Sequence, residues 1–478
     1  MNFRIAAAAA LFIIPSIFYS QEQLTDSVDA FLLKEMRDRN IPGLQFAIVQ
    51  HGKIIKLNTY GFADLENSVK ATNQTIFPIN SITKSFTGVA IMQLVEAGKL
   101  DITAPLSRYL DDLPQAWGKV PIQNLLNNTS GIPDAVDTQT EEWLVKEIGD
   151  EGWNKTLKFP IEFPVGEKFR YNQTNFILLG LIIDKLSGKP FTQFIKENQF
   201  AVAGMTQTTY DKEVPRAKSY VHSNGKFKIT IEEFPKPSLT AAGLNSTAEE
   251  IAKWVIALQN GQILKQKQSL TTLWTPGVLN DGTYGGLSGI VNGYALGWPV
   301  KIRVEHPAIG GVGGARSAFF VYPEDDLTVI ILSNKLASFP ETFIDEVAGF
   351  YVPGMKASTG FGLSPAAKKL RAELMKRGFD QAQKIADELK AKDPTYRLTE
   401  VELNSWGYTL IQQEKVKEAI EIFKLNVSLY PQSGNAHDSL GEAYMTIGDK
   451  ALAIKNYKRS LELDPNNGNA KRQLKRLK

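Results

Sequence analysis

Strand-type residues gather at the two ends of residues 21–351, and helical patterns fill the stretch between them. Near the start, GLQFAIVQHGKIIKLNTYG (43–61) carries β-branched and aromatic residues on both sides of His51-Gly52-Lys53, the pattern of a hairpin. Near the end, AFFVYPEDDLTVIILSN (318–334) reads as two strands around a Pro-Glu-Asp-Asp turn. Residues 82–98 and 174–187 are long, apolar-rich helical segments. A chain of this kind is constrained to an α+β domain whose sheet draws strands from both of its ends. The composition, 43% hydrophobic and 22% charged, supplies enough apolar side chains for real cores and excludes a disordered chain. A net charge of +3, spread along 478 residues, gives no basis for a nucleic-acid partner.

Two further regions flank that domain. MNFRIAAAAALFIIPSIFYS (1–20) has a positive start at Arg4, an apolar run and a small residue before QEQ. It reads as a signal peptide cleaved near Ser20–Gln21, which makes the chain secreted or periplasmic. The alternative, an N-terminal membrane anchor, asks for a longer run. No later segment is long and apolar enough to span a bilayer, so the mature chain is expected to have no transmembrane helix. The chain contains no cysteine, which excludes disulfides and a lipid thioether.

Residues 352–364, VPGMKASTGFGLS, are rich in Gly, Ser and Pro and read as a linker. Beyond it the pattern is helical and repeats. Gly407, Ala419, Phe423 and Pro431 are matched by Gly441, Ala453, Tyr457 and Pro465, each 34 residues later. That period and those residue types resemble the tetratricopeptide repeat, so 365–478 is expected to be an all-α repeat domain. RGFDQAQKIADELKAKDP (377–394) looks like the second helix of an earlier, degraded repeat. The basic tail KRQLKRLK reads as the solvated face of a capping helix. The repeats would bind a protein partner or stabilise the chain.

Four histidines, His51, His222, His306 and His437, show no metal-ligand spacing, and no GxSxG elbow is present. A hydrolase built from this chain would take its base from something other than histidine. Ser81-Ile82-Thr83-Lys84 opens the 82–98 helical pattern. Residues i and i+3 share a helix face, so Lys84 can reach Ser81. A desolvated lysine loses its proton readily and can serve as the serine's base. The plainer reading makes Ser81 a helix N-cap and Lys84 a solvated first-turn residue. Ser223-Asn224-Gly225-Lys226 has the same spacing, but within a turn.

The longer run NSITKSFTGVAIMQLVEAGKLDITAPLSRYL resembles the β-lactamase-related serine hydrolases. The likeness continues through LLNNTSGIPD, GEKFRYNQTNFILLG, AAGLNSTAEEIAKW, YALGW and GGARSAFFVYPEDDLTVIILSN, roughly residues 35–350. The family includes class C β-lactamases, D-alanyl-D-alanine carboxypeptidases, D-aminopeptidases and esterases. The resemblance implies a β-lactamase/transpeptidase-like fold: an antiparallel sheet flanked by helices, plus a helical region. It makes Ser81 the acylated nucleophile, Lys84 its partner and Tyr171 the base that relays the proton. It gives the backbone N–H groups of Ser81 and Gly314 as the oxyanion hole, and Gln173 and Gly313 as substrate-binding positions. No metal or other cofactor is implied.

Three departures from the family pattern stand out. Gln173 replaces the Asn of Y-x-N, and Asn128 replaces a usual His. In the third motif the usual His or Lys falls at Gly311, and His306 is five residues too early to take its place. The expected activity is a secreted serine hydrolase acting on small esters or peptide-like amides, of esterase or D-amino-acid-peptidase type, with β-lactams poorer substrates. Restoring lysine at 311 is expected to favour carboxylate-bearing substrates unless the side chain clogs the site. The rival reading is a catalytically impaired binding or scaffold protein that works through its repeats.

Overall fold

The computed structural model describes residues 27–137, 142–223, 225–356, 361–412 and 415–477. The expected signal segment, residues 1–20, lies outside the described residues. The chain divides into two compact units, one ending at Val352 and the other starting at Pro353.

In the first unit the described strands are β1 (Gly43–Gln50), β2 (Lys53–Asp64), β3 (Val69–Lys70), β4 (Phe77–Asn80), β5 (Ser219–Ser223), β6 (Lys226–Thr230), β7 (Leu244–Ser246), β8 (Gly293–Tyr294), β9 (Pro299–Lys301), β10 (Ala308–Gly313), β11 (Ser317–Tyr322) and β12 (Leu327–Ser333). Eight of them form one sheet in the order β3-β2-β1-β12-β11-β10-β9-β8, so the first and last strands of the unit meet at its centre. All pairings within that sheet are antiparallel. The expected hairpin turns at His51 and Gly52, both with positive φ (52° and 65°), as a two-residue turn matched to strand twist requires. Alternation along the central strands serves two faces. Ala47, Val49, Phe319, Val321, Ile330 and Leu332 enter the main core. Phe46, Ile48, Phe320, Val329 and Ile331 are buried outside that cluster. The helix Ile344–Ala348 packs on β12, and α1 (Ser27–Asp38) packs on that helix.

The helix that follows Ser81 is α2 (Thr83–Glu96). Thr83 to Met92 are all buried, polar Thr83, Lys84, Ser85 and Thr87 included, so this is a central helix rather than a surface one. Two glycines set its position. A Cβ on Gly88 would lie 2.1 Å from the Leu296 carbonyl oxygen, and one on Gly297 would lie 2.5 Å from that of Lys84. Only glycine permits this backbone-to-backbone approach, and Ser85 Oγ donates to the Gly297 carbonyl at 3.3 Å.

The second unit consists of helices at Pro365–Arg377, Ala382–Lys392, Glu400–Gln412, Val416–Leu429, Gly434–Thr446, Lys450–Leu463 and Gly468–Leu477. The 34-residue period has a direct packing cause. A Cβ on Gly407 would strike the Phe423 ring, and one on Gly441 would press on Tyr457, so each small residue makes room for the aromatic of its own helix pair. The helix Ala382–Lys392 occupies the place expected for the degraded repeat. In the last helix Ala470 is buried, while Lys471, Arg472, Lys475 and Arg476 are exposed. Part of the expected linker is ordered, since Pro353–Met355 forms a 3-10 turn with Met355 buried. No helix among the described residues is long and apolar enough to cross a membrane.

The two units have separate apolar cores, each built from its own residues. A chain ended after Lys356 is therefore expected to stay soluble and to unfold in one cooperative thermal transition. The full chain should show that transition alongside a second. Aggregation of the shortened chain would show that the first unit cannot fold alone.

Candidate active site

Strand β4 delivers the chain to the start of α2 through Asn80, whose φ is +44°. Asparagine tolerates this left-handed conformation better than most residues. Ser81 follows in a turn, and the first capping position of α2 is Ile82, with no side-chain cap. The N-cap reading of Ser81 is thereby set aside; Thr83 Oγ1 instead donates back to the Asn80 carbonyl at 2.6 Å. Lys84 is not solvated either, being 0% exposed.

Lys84 Nζ donates to Gln173 Oε1 at 2.8 Å and to the Ala241 carbonyl at 2.9 Å. It lies over the faces of Tyr171 (4.6 Å to the ring centre) and Phe176 (5.1 Å). Its hydrogen-bond partners are neutral oxygens. Burial pushes the ammonium down to about 7, with the charge of Asp134 opposing the shift. Tyr171 stands within hydrogen-bonding reach of the Ser81 hydroxyl. Burial holds its phenol well above the usual range, so it stays protonated at neutral pH.

The segment carrying Tyr171 is fixed from below by the LLNNTSGIPD loop. Asn128, with φ +59°, accepts from the Asn172 backbone N–H and from Asn175 Nδ2, both at 3.2 Å. Asn172 Nδ2 donates to the Ile132 carbonyl at 2.6 Å. Asp134 Oδ1 accepts the Gln173 backbone N–H at 2.9 Å, and burial raises the pKa of this carboxyl. Gln173 thus keeps a lysine contact despite its extra methylene.

The third expected motif lies on β10. A Cβ on Gly313 would fall 1.9 Å from the Ile79 carbonyl and 3.1 Å from the Ser81 nitrogen. Gly313 therefore lets β10 lie directly against the serine segment. Gly314, with φ +56°, begins the turn to β11, and a Cβ there would meet Asn80 Nδ2 at 2.6 Å. At Gly311 a Cβ would meet the Phe319 ring at 2.5 Å and Ile82 Cγ1 at 3.2 Å. His306 is engaged elsewhere, its Nδ1 lying 2.7 Å from Asp325 Oδ1.

Ser81, Lys84, Tyr171, Gln173 and the Gly313–Gly314 end of β10 are thus gathered in one place. The competing Ser223 and Lys226 face each other on an exposed hairpin, as partners in the β5–β6 register. Sequence reasoning missed Asp134 and the Ala241 carbonyl. Asp134 left a faint signal, an acidic residue after proline in a loop; a carbonyl leaves none.

An antiparallel sheet backed by a buried helix, with a serine and a desolvated lysine at that helix's start, is the arrangement of the serine-lysine acyl-transfer folds. The Beta-lactamase family profile matches residues 28–350, and the chain belongs to that family. A Tetratricopeptide repeat profile matches 434–467. Protein flp of Staphylococcus aureus is 23% identical over 342 residues, 69% of this chain and 66% of that protein, so the chain spans just under two thirds of its length. Among solved structures, the octameric penicillin-binding protein homologue from Pyrococcus abyssi is similar, with TM-score 0.60 and 24% identity over 72% of this chain and 80% of that one. D-amino acid amidase from Ochrobactrum anthropi SV3 matches with TM-score 0.58 and 22% identity, over 69% of this chain and 98% of that one. At these identities the two structures speak for the fold alone.

The packing at Gly311 changes the expectation for restoring a basic residue there. Phe319 cannot easily give way, because its ring meets Trp254 and Trp298 edge-on in a fully buried stack. Gly311→Lys is expected to lose ~1–3 kcal/mol of stability through overpacking and to gain no preference for carboxylate-bearing substrates. Chemical denaturation and kcat/KM on paired charged and neutral substrates check this. A variant as stable as wild type would show that the stack yields.

Proposed function

We propose that this chain is a serine hydrolase that works through an acyl-enzyme on Ser81, with Lys84 as the base. The observation that carries the reading is the burial of Lys84 against neutral oxygens, which leaves it able to shed its proton near neutral pH. Ser81 loses its proton toward Lys84 as its oxygen bonds to the substrate's carbonyl carbon. Tyr171, kept protonated by burial rather than acting as a phenolate base, passes its proton to the leaving group and takes in its place the proton that Lys84 received, which leaves Lys84 neutral again. The Ser81 and Gly314 amides receive the negative charge on the carbonyl oxygen. Water then attacks the ester, giving up its proton to Lys84, and the acid product leaves as Ser81 regains a proton.

The proposed substrates are uncharged acyl esters or peptide-like amides. Glycine at 311 offers no charge to a substrate carboxylate, and the space beside it holds the Phe319 ring. A charge-assisted hydrogen bond contributes ~1.5–3 kcal/mol, so its absence disfavours β-lactams and other carboxylate-bearing substrates roughly ten- to a hundredfold. The amidase similarity supports D-amino-acid amides as a second class to try. The repeats are proposed to hold a protein partner, and residues 1–20 to direct export. Gly311 also favours the rival reading, a chain that binds without turning substrate over.

A fluorophosphonate probe should label Ser81, and Ser81→Ala should abolish both labelling and p-nitrophenyl acetate hydrolysis. Ser223→Ala should change neither. An unlabelled wild-type chain would favour the binding-protein reading, and efficient turnover of a chromogenic cephalosporin would overturn the substrate proposal.

The pH profile gives a separate check. Below about 7 Lys84 holds its proton and cannot accept another, so kcat/KM should rise as pH climbs through about 7. The negative charge of Asp134 holds the Lys84 pKa up, so Asp134→Asn should move that rise to lower pH. An unchanged profile would remove Asp134 from the electrostatics of the site.

A further inference from the structure

The residue before the nucleophile is tied to a part-buried ion pair between two distant parts of the chain. Asn80 Nδ2 donates to both carboxylate oxygens of Glu232, at 3.1 and 3.2 Å. The same carboxylate pairs with the guanidinium of Arg316, which is 0% exposed. Arg316 Nη1 also donates to Ser219 Oγ at 2.6 Å. Burying a guanidinium is costly without a partner, so Glu232 is held where Arg316 requires it. Arg316 lies in the turn between β10 and β11, two residues after Gly314, and its backbone N–H donates to the Gly313 carbonyl at 3.1 Å. Ser317 Oγ donates to the Pro78 carbonyl at 3.1 Å, a second stitch between the same two segments.

These contacts join the backbone segments that bear the two amides assigned to the oxyanion hole. Asn80 sits one residue before Ser81 in a left-handed conformation, and the open side of Gly314 faces its amide nitrogen. Rotation of the Asn80 backbone would swing the Ser81 N–H away from the Gly314 N–H. Oxyanion stabilisation depends on donors placed in advance, and a misplacement of about 1 Å can cost as much as 10²-fold in rate. We propose that Glu232 is a positioning residue: through Asn80 and Arg316 it sets the oxyanion-hole amides of Ser81 and Gly314 relative to each other. Glu232 touches no reacting atom. Its side chain is 28% exposed, and it lines a cavity of about 380 Å³ together with Pro78, Asn80, Tyr210 and Phe234. A variant that keeps a negative charge beside Arg316 is therefore the one suited to a test.

The proposal rests on the reading of Ser81 as nucleophile, and the test separates the two. Asn80→Asp keeps the size and the left-handed tolerance of the residue but sets one carboxylate against another. It should lower kcat for p-nitrophenyl acetate and the fluorophosphonate labelling rate by about tenfold, with KM unchanged, because the lost geometry matters only when charge develops. In the double variant Asn80→Asp/Glu232→Gln the amide and carboxylate change places, and the bond and the charge beside Arg316 are both restored. Activity and labelling should then recover most of the loss. If wild type labels at Ser81 and Asn80→Asp labels as fast, the positioning role is overturned while the Ser81 reading stands. A double variant no better than the single one would overturn it equally. If wild type does not label at all, the Ser81 reading falls and the positioning role falls with it.

Discussion

A lysine with no carboxylate bonded to it, sealed inside a protein, is an unfavourable thing to build. Lys84 is held there with α2, whose backbone packs against Leu296 and Gly297, and Tyr171, Phe176, Gln173 and the Ala241 carbonyl enclose its ammonium group. The shift from an ordinary lysine value to about 7 corresponds to a differential stabilisation on the order of 5 kcal/mol between the two protonation states. Its sign is against the folded state at low pH. Between about 7 and 10.5 the unfolded chain holds this proton and the folded chain does not, so this group's contribution to stability rises with pH through that window. The rest of the first unit supplies the opposing stability: a sheet closed from both chain ends, and one large core around α2. Strain of this kind at a functional centre, offset elsewhere, is the usual relation between stability and activity.

The local parts of this fold were legible in the sequence because their causes are local. A His-Gly turn between strand-type runs announces its hairpin, and small residues set 34 apart from their equivalents announce stacked helix pairs. The serine-lysine spacing was legible as a candidate but not as a decision. Whether Ser81 capped a helix and whether Lys84 met solvent depended on what packed around α2. That packing comes from residues 171–187 and 240–297, far along the chain.

The parts that stayed hidden are long-range. Glu232 lies 152 residues from Asn80, in a loop with no pattern, and only the register of β10 against β11 brings Arg316 to it. The third motif shows the same limit from another side. Glycine at 311 read as a missing charge; the structure adds that the space is already filled, by an aromatic ring from the neighbouring strand. A missing side chain can be seen in a sequence, but what replaces its volume cannot.

That ring belongs to a larger assembly. Trp254 and Trp298 lie stacked, with ring centres 5.5 Å apart and planes 14° from parallel, and Phe86 of α2 stacks on Trp254 at 3.9 Å. Both indoles are fully enclosed. Two enclosed chromophores so close are expected to couple electronically and to give a circular-dichroism couplet near the indole absorption bands. Because Phe86 lies two residues beyond Lys84, and Phe319 fills the space beside Gly311, any movement of the serine-bearing helix changes the environment of this pair. The circular dichroism of this pair, against the background of five other tryptophans, is therefore expected to follow the packing of that helix without a substrate that changes colour.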